Sequence, residues 1–404
     1  YVEAQEAGDN ITLSNFSNTF VMEDGNVLGG QGDDTITTTG AQGGGVTIVG
    51  STINGNQNDD AIGVAATNYS ESKVYGGQGQ DTLLFTNLYG GFVNGNKNAD
   101  TITTTNGGNV TGQIYGGQGQ DTIAINGNVQ GGGVRGDKDV DILTIGTAGA
   151  NVQTFTNATF NGNQGDDQIT FDVRDDATPG TSTVTSTTVY GGANDDVITS
   201  NANSDVAAIF SGDLGNDTIT MGNNGQNDTL LGGAGTDTLT VANGTNRLEA
   251  GTGADSVTVA AGTDTIIQSV GDSNACTGNT GIAAATAIVE GDTITIDADV
   301  AGGFLTTDRL SMGTTTAGII NVDGLVGDTT TAAGVCIAYG TWVDATNVFT
   351  FGGNLTATFD DVLVFTQTAA VNLSSNVAYN TNAIVLDDWF ASGGGADITI
   401  ASFV

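Results

Sequence analysis

Histidine is absent from this 404-residue chain, Lys and Arg together number seven, proline occurs once, at Pro179, and cysteine twice. Without histidine there can be no Ser-His-Asp triad, no Cys-His pair and no H-E-x-x-H zinc site. Chemistry run by two carboxylates survives that exclusion, since it needs only Asp or Glu, but with 45 acidic residues a suitable pair is expected by chance. The scarcity of basic residues leaves a formal charge of −38, which repels nucleic acid and anionic lipid and makes cations the natural partner. No run of eighteen apolar residues is present, so no membrane insertion is expected, and no N-terminal signal peptide is visible. The chain starts at Tyr1 rather than Met, as expected if a leader has been removed.

What the chain has in quantity is glycine, 64 residues, and acid. High charge with modest apolar content is also how disordered chains look, but here the apolar residues are periodic. The phrase Gly29 to Thr37, GGQGDDTIT, returns in close copies along the first two thirds of the sequence. Aligned on its aspartate, the copies give Asp34, Asp60, Asp81, Asp100, Asp121, Asp141, Asp167, Asp196, Asp217, Asp237 and Asp255, spaced by 18 to 29 residues. Two residues before each copy stand Val27, Ile53, Val74, Val93, Ile114, Val134, Phe160, Val189, Phe210, Leu230 and Leu248. Two residues after each aspartate stand Ile36, Ile62, Leu83, Ile102, Ile123, Leu143, Ile169, Ile198, Ile219, Leu239 and Val257. An apolar residue on both sides of every turn is what inward-facing strand positions require. The second and fourth positions of the phrase hold Gly, Asn or Asp (Gly30, Asn56, Asp137; Gly32, Asn58, Asp139), the residue types that tolerate a left-handed backbone.

The phrase matches the nonapeptide G-G-x-G-x-D-x-U-x, and on it the chain resembles the RTX repeat proteins. That resemblance implies a parallel β-roll, Ca²⁺ bound in the turns between the carbonyls and Asp carboxylates of adjacent coils, and export from bacteria, usually through an uncleaved C-terminal signal. Carried over residue by residue, the expected metal ligands are the eleven aligned aspartates together with Asp139, and roughly ten ions would sit between eleven loops. Physics asks for a cation on its own account: carboxylates stacked ~5 Å apart repel by ~3 kcal/mol per pair at an effective dielectric of about 20. Asp137 to Asp141, DKDVD, has the look of an EF-hand start but lacks its later Gly and Glu.

The fold expected is therefore all-β, a parallel β-roll or β-solenoid of about eleven coils of roughly twenty residues, about 50 Å long at ~4.8 Å per coil, followed by a C-terminal β domain. Residues 1–26 read as an N-terminal cap or a strand exchanged with a neighbour, 27–271 as the solenoid, and 272–404 as a β-rich region for assembly and export. Because the motif generally comes once per coil, one edge carries the metal row. The other edge reads as variable turns such as Thr105 to Val110, with Gly222 to Leu230 a motif-like turn there. The longest spacings are read as loops at Thr39 to Gly45, Thr147 to Gln153 and Asp175 to Ser186. Ala250 in place of the first glycine marks the last copy as irregular.

In the C-terminal region a Cys276–Cys336 disulfide is expected of an exported protein, with two thiols or an intermolecular bond as alternatives. Threonine-rich faces such as TITTT at Thr35 to Thr39 raise ice binding, but strand propensity alone accounts for them. The functional expectation is a secreted, extracellular, calcium-binding structural protein, not an enzyme, that forms a homo-oligomer or polymer as a surface layer, sheath or filament. A cell-surface polysaccharide is a further candidate partner. The alternative is a carbohydrate-binding adhesin or carboxylate-dependent glycan-active enzyme, with Trp342, Trp389 and Tyr339 as sugar-stacking candidates.

Overall fold

The computed structural model describes most of residues 1–259, leaving out short segments (5–7, 16–19, 41–45, 64–66, 147–152, 174–181, 202–207, 223–226 and residues 243, 245 and 254) and, from residue 260, describes the backbone of the β-strands alone. The chain divides into two compact units, Tyr1–Phe210 and Ser211–Val404.

In the first unit each coil makes three short strands, and like strands of successive coils pair in parallel to give three stacked sheets. The motif sheet is built from the strands that run into the glycine turn, from Val2–Glu3 and Asn26–Gln31 through to Thr187–Ala193. A second sheet holds the strands that leave the turn, from Asn10–Asn15 and Thr35–Gly40 to Val197–Ser200. The third is an eight-stranded sheet on the far side of the coil, from Phe20–Glu23 to Thr183–Thr185. All three are open, and the described residues contain no helix. The fold is an all-β parallel solenoid.

The coils are in register because the same positions are apolar in each. Val74 lies beside Ile53 on one side and Val93 on the other, and Leu83 lies between Ile62 and Ile102. Every one of the twenty-two phased residues flanking the turns is buried. A one-residue slip would turn a whole row outward, at about 1.5–3 kcal/mol per large side chain. The third sheet adds its own inward row, Ile48, Tyr69, Leu88, Val110, Val129 and Phe155. Aromatic rings from all three sheets also meet inside the coil. Phe155, Phe160 and Phe171, one from each sheet, meet with ring centroids 5.6 to 6.1 Å apart.

The third sheet corrects the expectation that the edge opposite the motif is made of turns. Within Thr105 to Val110 only the start is a turn, with the Gly108 N–H donating to Thr105 O, and Asn109–Val110 is a strand. Residues 1–26 form a coil of their own with one strand in each sheet: Val2 pairs with Val27, Ile11 with Ile36 and Phe20 with Val46. The loops read at Thr39 to Gly45, Thr147 to Gln153 and Asp175 to Ser186 fall mainly outside the described residues, as does the middle of Gly222 to Leu230.

In the second unit, Thr229–Ala234, Arg247–Thr252, Thr265–Ile267 and Arg309–Ser311 stack in parallel, as do Thr218–Met221, Thr238–Val241, Ser256–Val259 and Asp292–Ile296. Parallel stacking thus continues past residue 271. It gives way to antiparallel pairing where Gly334–Val343 meets Val348–Phe351 and Asp361–Gln367. Cys276 and Cys336 lie in strands, but their side chains, like those of Tyr339 and Trp342, are outside the described residues, and so is Trp389.

Candidate metal centre

Each glycine turn needs two left-handed residues, and the sequence supplies them. Gly30 and Gly32, Asn56 and Asn58, and Asp137 and Asp139 all have positive φ, with 84° at Asn56 and 83° at Asp137. Two residues beyond the second of these comes the column aspartate, and the turn points it inward. Asp34, Asp60, Asp81, Asp100, Asp121, Asp141, Asp167 and Asp196 in the first unit are no more than 2% exposed.

Within that unit the aspartates are joined by one repeated contact. The backbone N–H of Asp34 donates to Oδ1 of Asp60 at 2.7 Å, that of Asp60 to Asp81 at 2.8 Å, and that of Asp81 to Asp100 at 2.7 Å. The series continues through Asp121, Asp141 and Asp167 to Asp196. The backbone carbonyls of Asp34 through Asp167 in the column are also taken, as where Asp81 O accepts from Thr101 N–H and Asp100 O from Thr122 N–H. In the second unit the same contact links Asp217 to Asp237 and Asp237 to Asp255, at 2.8 and 2.7 Å.

What remains is the second carboxylate oxygen. Oδ2 of Asp34, Asp60, Asp81, Asp100, Asp121, Asp141 and Asp167 is buried without a hydrogen-bond partner. A buried oxygen that could carry charge is costly unless it gains a proton or a cation. Burial accordingly pushes these carboxyls up, partly offset by the backbone N–H bond: Asp100 and Asp141 to about 8, Asp60 and Asp121 to about 7, Asp81 and Asp167 to about 6, with Asp34 raised as well. Neighbouring carboxylates add to the rise, Asp81 and Asp121 acting on Asp100.

The glycine at the first motif position explains why the turn is tolerated. A methyl group on Gly55 would collide with Asp60 Oδ2 and stand 2.6 Å from the carbonyl oxygen of Gly76 in the next coil; Gly95 has the same relation to Asp100 Oδ2 and Gly116 O. Carboxylate oxygen and carbonyl oxygen therefore converge on one small space per coil. Both are hard donors of the kind Ca²⁺ takes. Among the described residues no point gathers three or more His, Cys, Asp or Glu side chains. The donor set that fits a calcium ion is thus the column aspartates completed by turn carbonyls. Ala250 occupies the first position of the last copy and is buried, yet Asp255 still accepts the Asp237 N–H.

Two site assignments differ from the sequence reading. Asp139 is exposed, held by accepting the Gly119 N–H at 3.0 Å, and stands outside the column. Asp9, not anticipated, continues the column at its start: its N–H donates to Asp34 Oδ1 at 2.7 Å and its carbonyl accepts from Thr35. The D-x-U half of the motif, Asp9-Asn10-Ile11, was the available signal, without the glycines before it.

The fold and column define a class, a parallel β-solenoid with one inward aspartate per coil. No family model matches the chain, and no curated protein is found to be similar to it.

Proposed function

We propose that this is a calcium-binding structural protein of the RTX type, secreted and located outside the cell, whose solenoid is stiffened by metal and assembles with copies of itself into a layer, sheath or filament. The observation that carries the reading is the run of seven buried Oδ2 atoms without partners, one in each successive coil from Asp34 to Asp167. One divalent ion between adjacent coils satisfies these oxygens, removes the repulsion along the column and couples folding to metal. The acidic charge of the whole chain is consistent with a protein whose native form includes many cations. A catalytic role for the column is disfavoured because carboxylates at most 2% exposed cannot reach a substrate. Export is proposed on the motif resemblance, and assembly on the large share of chain given to a repetitive scaffold.

Electron microscopy of the purified protein with calcium and with a chelator tests both halves. Ordered polymers or sheets are expected only with calcium. A monomer at high concentration with calcium present would overturn assembly, and unchanged far-UV circular dichroism on chelation would overturn calcium binding.

A further inference from the structure

Four of the seven basic residues of this strongly acidic chain, Lys73, Lys97, Arg135 and Lys138, lie on the outer face of the motif sheet in the first unit. They fall within four successive strands, Lys73–Gln78, Phe92–Lys97, Gln113–Gln118 and Gly133–Lys138. All four side chains are exposed. At the position before the column aspartate the same four coils lack an acid, although the last of them holds Asp137 and Asp139 in its turn. Immediately before the column aspartate, the flanking coils carry Asp33, Asp59, Asp166 and Asp195, whereas these coils carry Gln80, Ala99, Gln120 and Val140. Two sequence choices thus relieve negative charge along this stretch, with Asp137 and Asp139 offsetting Arg135 and Lys138 in its last coil.

Aromatic rings occupy that place. Tyr75 and Phe92 meet edge to face at 5.2 Å, Phe92 and Tyr115 at 6.2 Å, and the Arg135 guanidinium lies 5.8 Å from the Tyr115 ring centroid. Beside them runs a groove of about 620 Å³ lined mainly by amides and one cation, among them Asn94, Gln118, Asn163, Gln164 and Lys138. Asp137 also faces the groove and accepts a hydrogen bond from Asn163 at 2.9 Å.

We propose that this face binds a linear anionic polysaccharide, a polymer of sugar acids. Ring faces and edges pack against the apolar side of pyranose rings, amides both donate to and accept from hydroxyls, and Arg135 with the lysines pairs with carboxylates. Charge complementarity selects an anion, since this is where an otherwise repulsive surface becomes permissive. The amide-lined groove selects a hydroxylated polymer over an acidic protein, whose interface would have a drier, more apolar centre. Asp137 within the groove can accept from a sugar hydroxyl, which leaves the polymer's carboxylates to Arg135 and the lysines. The proposal does not depend on the column holding calcium or on assembly.

The test is calorimetric titration of the full chain with a short oligogalacturonate at constant calcium, beside its neutral methyl ester, an oligoglutamate and an oligonucleotide of matched charge. Saturable binding of the oligogalacturonate alone, weakened by added salt, is expected. Tyr115→Asn, Arg135→Asn and Lys138→Gln should each weaken it about tenfold. These substitutions install residues that neighbouring coils already carry in the same rows (Asn94, Asn161, Gln118, Gln164), so the coil is retained. Thr103→Ser on the second sheet should leave binding unchanged. Absence of binding, equal binding of the ester, peptide or oligonucleotide, or full binding by the three variants would each overturn the proposal.

Discussion

The two edges of the first solenoid solve one problem with different side chains. Coil reversals leave backbone N–H groups that the strand ladders do not take up, and at many of those described a side-chain oxygen from an adjacent coil receives them. On the motif edge the acceptor is Asp Oδ1, as where Asp81 N–H meets Asp100. On the far side of the coil it is Ser, Thr or Asn: Ser51 Oγ accepts from Gly25 N–H at 3.0 Å, Thr111 Oγ1 from Gly90 N–H at 3.0 Å, Asn87 Oδ1 from Asn109 N–H at 2.7 Å, and Asn128 Oδ1 from Thr154 N–H at 2.7 Å. Asparagine does the backbone work without charge, and its own amide continues the ladder, Asn128 Nδ2 donating to Asn109 Oδ1. Aspartate does the same work and leaves a buried, ionisable oxygen over. Satisfying the turn does not account for that choice in coil after coil; the proposed metal, as a ligand for the second oxygen, would.

The largest effect that would break the comparison is in the joint dependence on calcium and pH. Six column carboxyls, Asp60, Asp81, Asp100, Asp121, Asp141 and Asp167, have folded values of about 6 to 8, against ~3.9 for an unfolded aspartate. Between these values the folded state holds more protons than the unfolded one, so without metal stability must fall as pH rises from ~4 to ~8, and then level off. Calcium bound as proposed would displace the protons, so with it the fall should vanish. Since an ion at a hundredfold excess over its dissociation constant contributes ~2.7 kcal/mol, several ions should separate the two melting temperatures by tens of degrees at pH ~8. Melting curves across this range, with calcium and with chelator, check it; parallel curves would mean that the motif edge is only a proton-satisfied turn ladder.

Asp100→Asn sharpens the same contrast at one coil, by giving the motif edge the chemistry of the far edge. The acceptor for Asp81 N–H is kept, and the orphaned oxygen is replaced by an amide. At pH ~8 in chelator the substitution should be neutral or stabilising, because a buried charge is removed. In calcium it should cost ~2–3 kcal/mol, about the contribution of one well-occupied site. Urea denaturation midpoints in the two buffers give the sign directly, and a cost of the same size in both would show that no ion was lost.

The differing fates of the sequence expectations have the same physical origin. The motif edge was readable because its constraints are strict: a left-handed φ at Asn56 or Asp137 admits few residue types, a methyl at Gly55 has nowhere to go, and a misplaced Val74 would expose a row. The third sheet was not, because strands of two to four residues such as Asn109–Val110 and Asn87–Tyr89, rich in Asn and Thr, look like turns, and their distance from the motif varies with each loop. The column itself could be read from Asp34 onward, but Asp9 lacks the preceding glycines. In DKDVD two roles lie side by side: Asp139 serves the turn with φ of 74°, and only Asp141 enters the column. Residue type alone does not separate these roles, since Asp satisfies both.

The smallest effect belongs to the far edge. Asn87→Ala removes the oxygen that receives Asn109 N–H, in a half-buried position. The amide that donates to Asn68 Oδ1 goes with it, and loss of the two bonds should cost about 1–2 kcal/mol. The neighbouring Leu88 stays buried in its row, so the third sheet should persist and the coil should still close. What matters is that the cost should be the same with calcium and with chelator, because no ionisable oxygen was present to be satisfied. A cost that appeared only in calcium would mean that the metal at the motif edge is felt across the coil, and the two edges would then be parts of one calcium-dependent unit instead of separate solutions to the same turn.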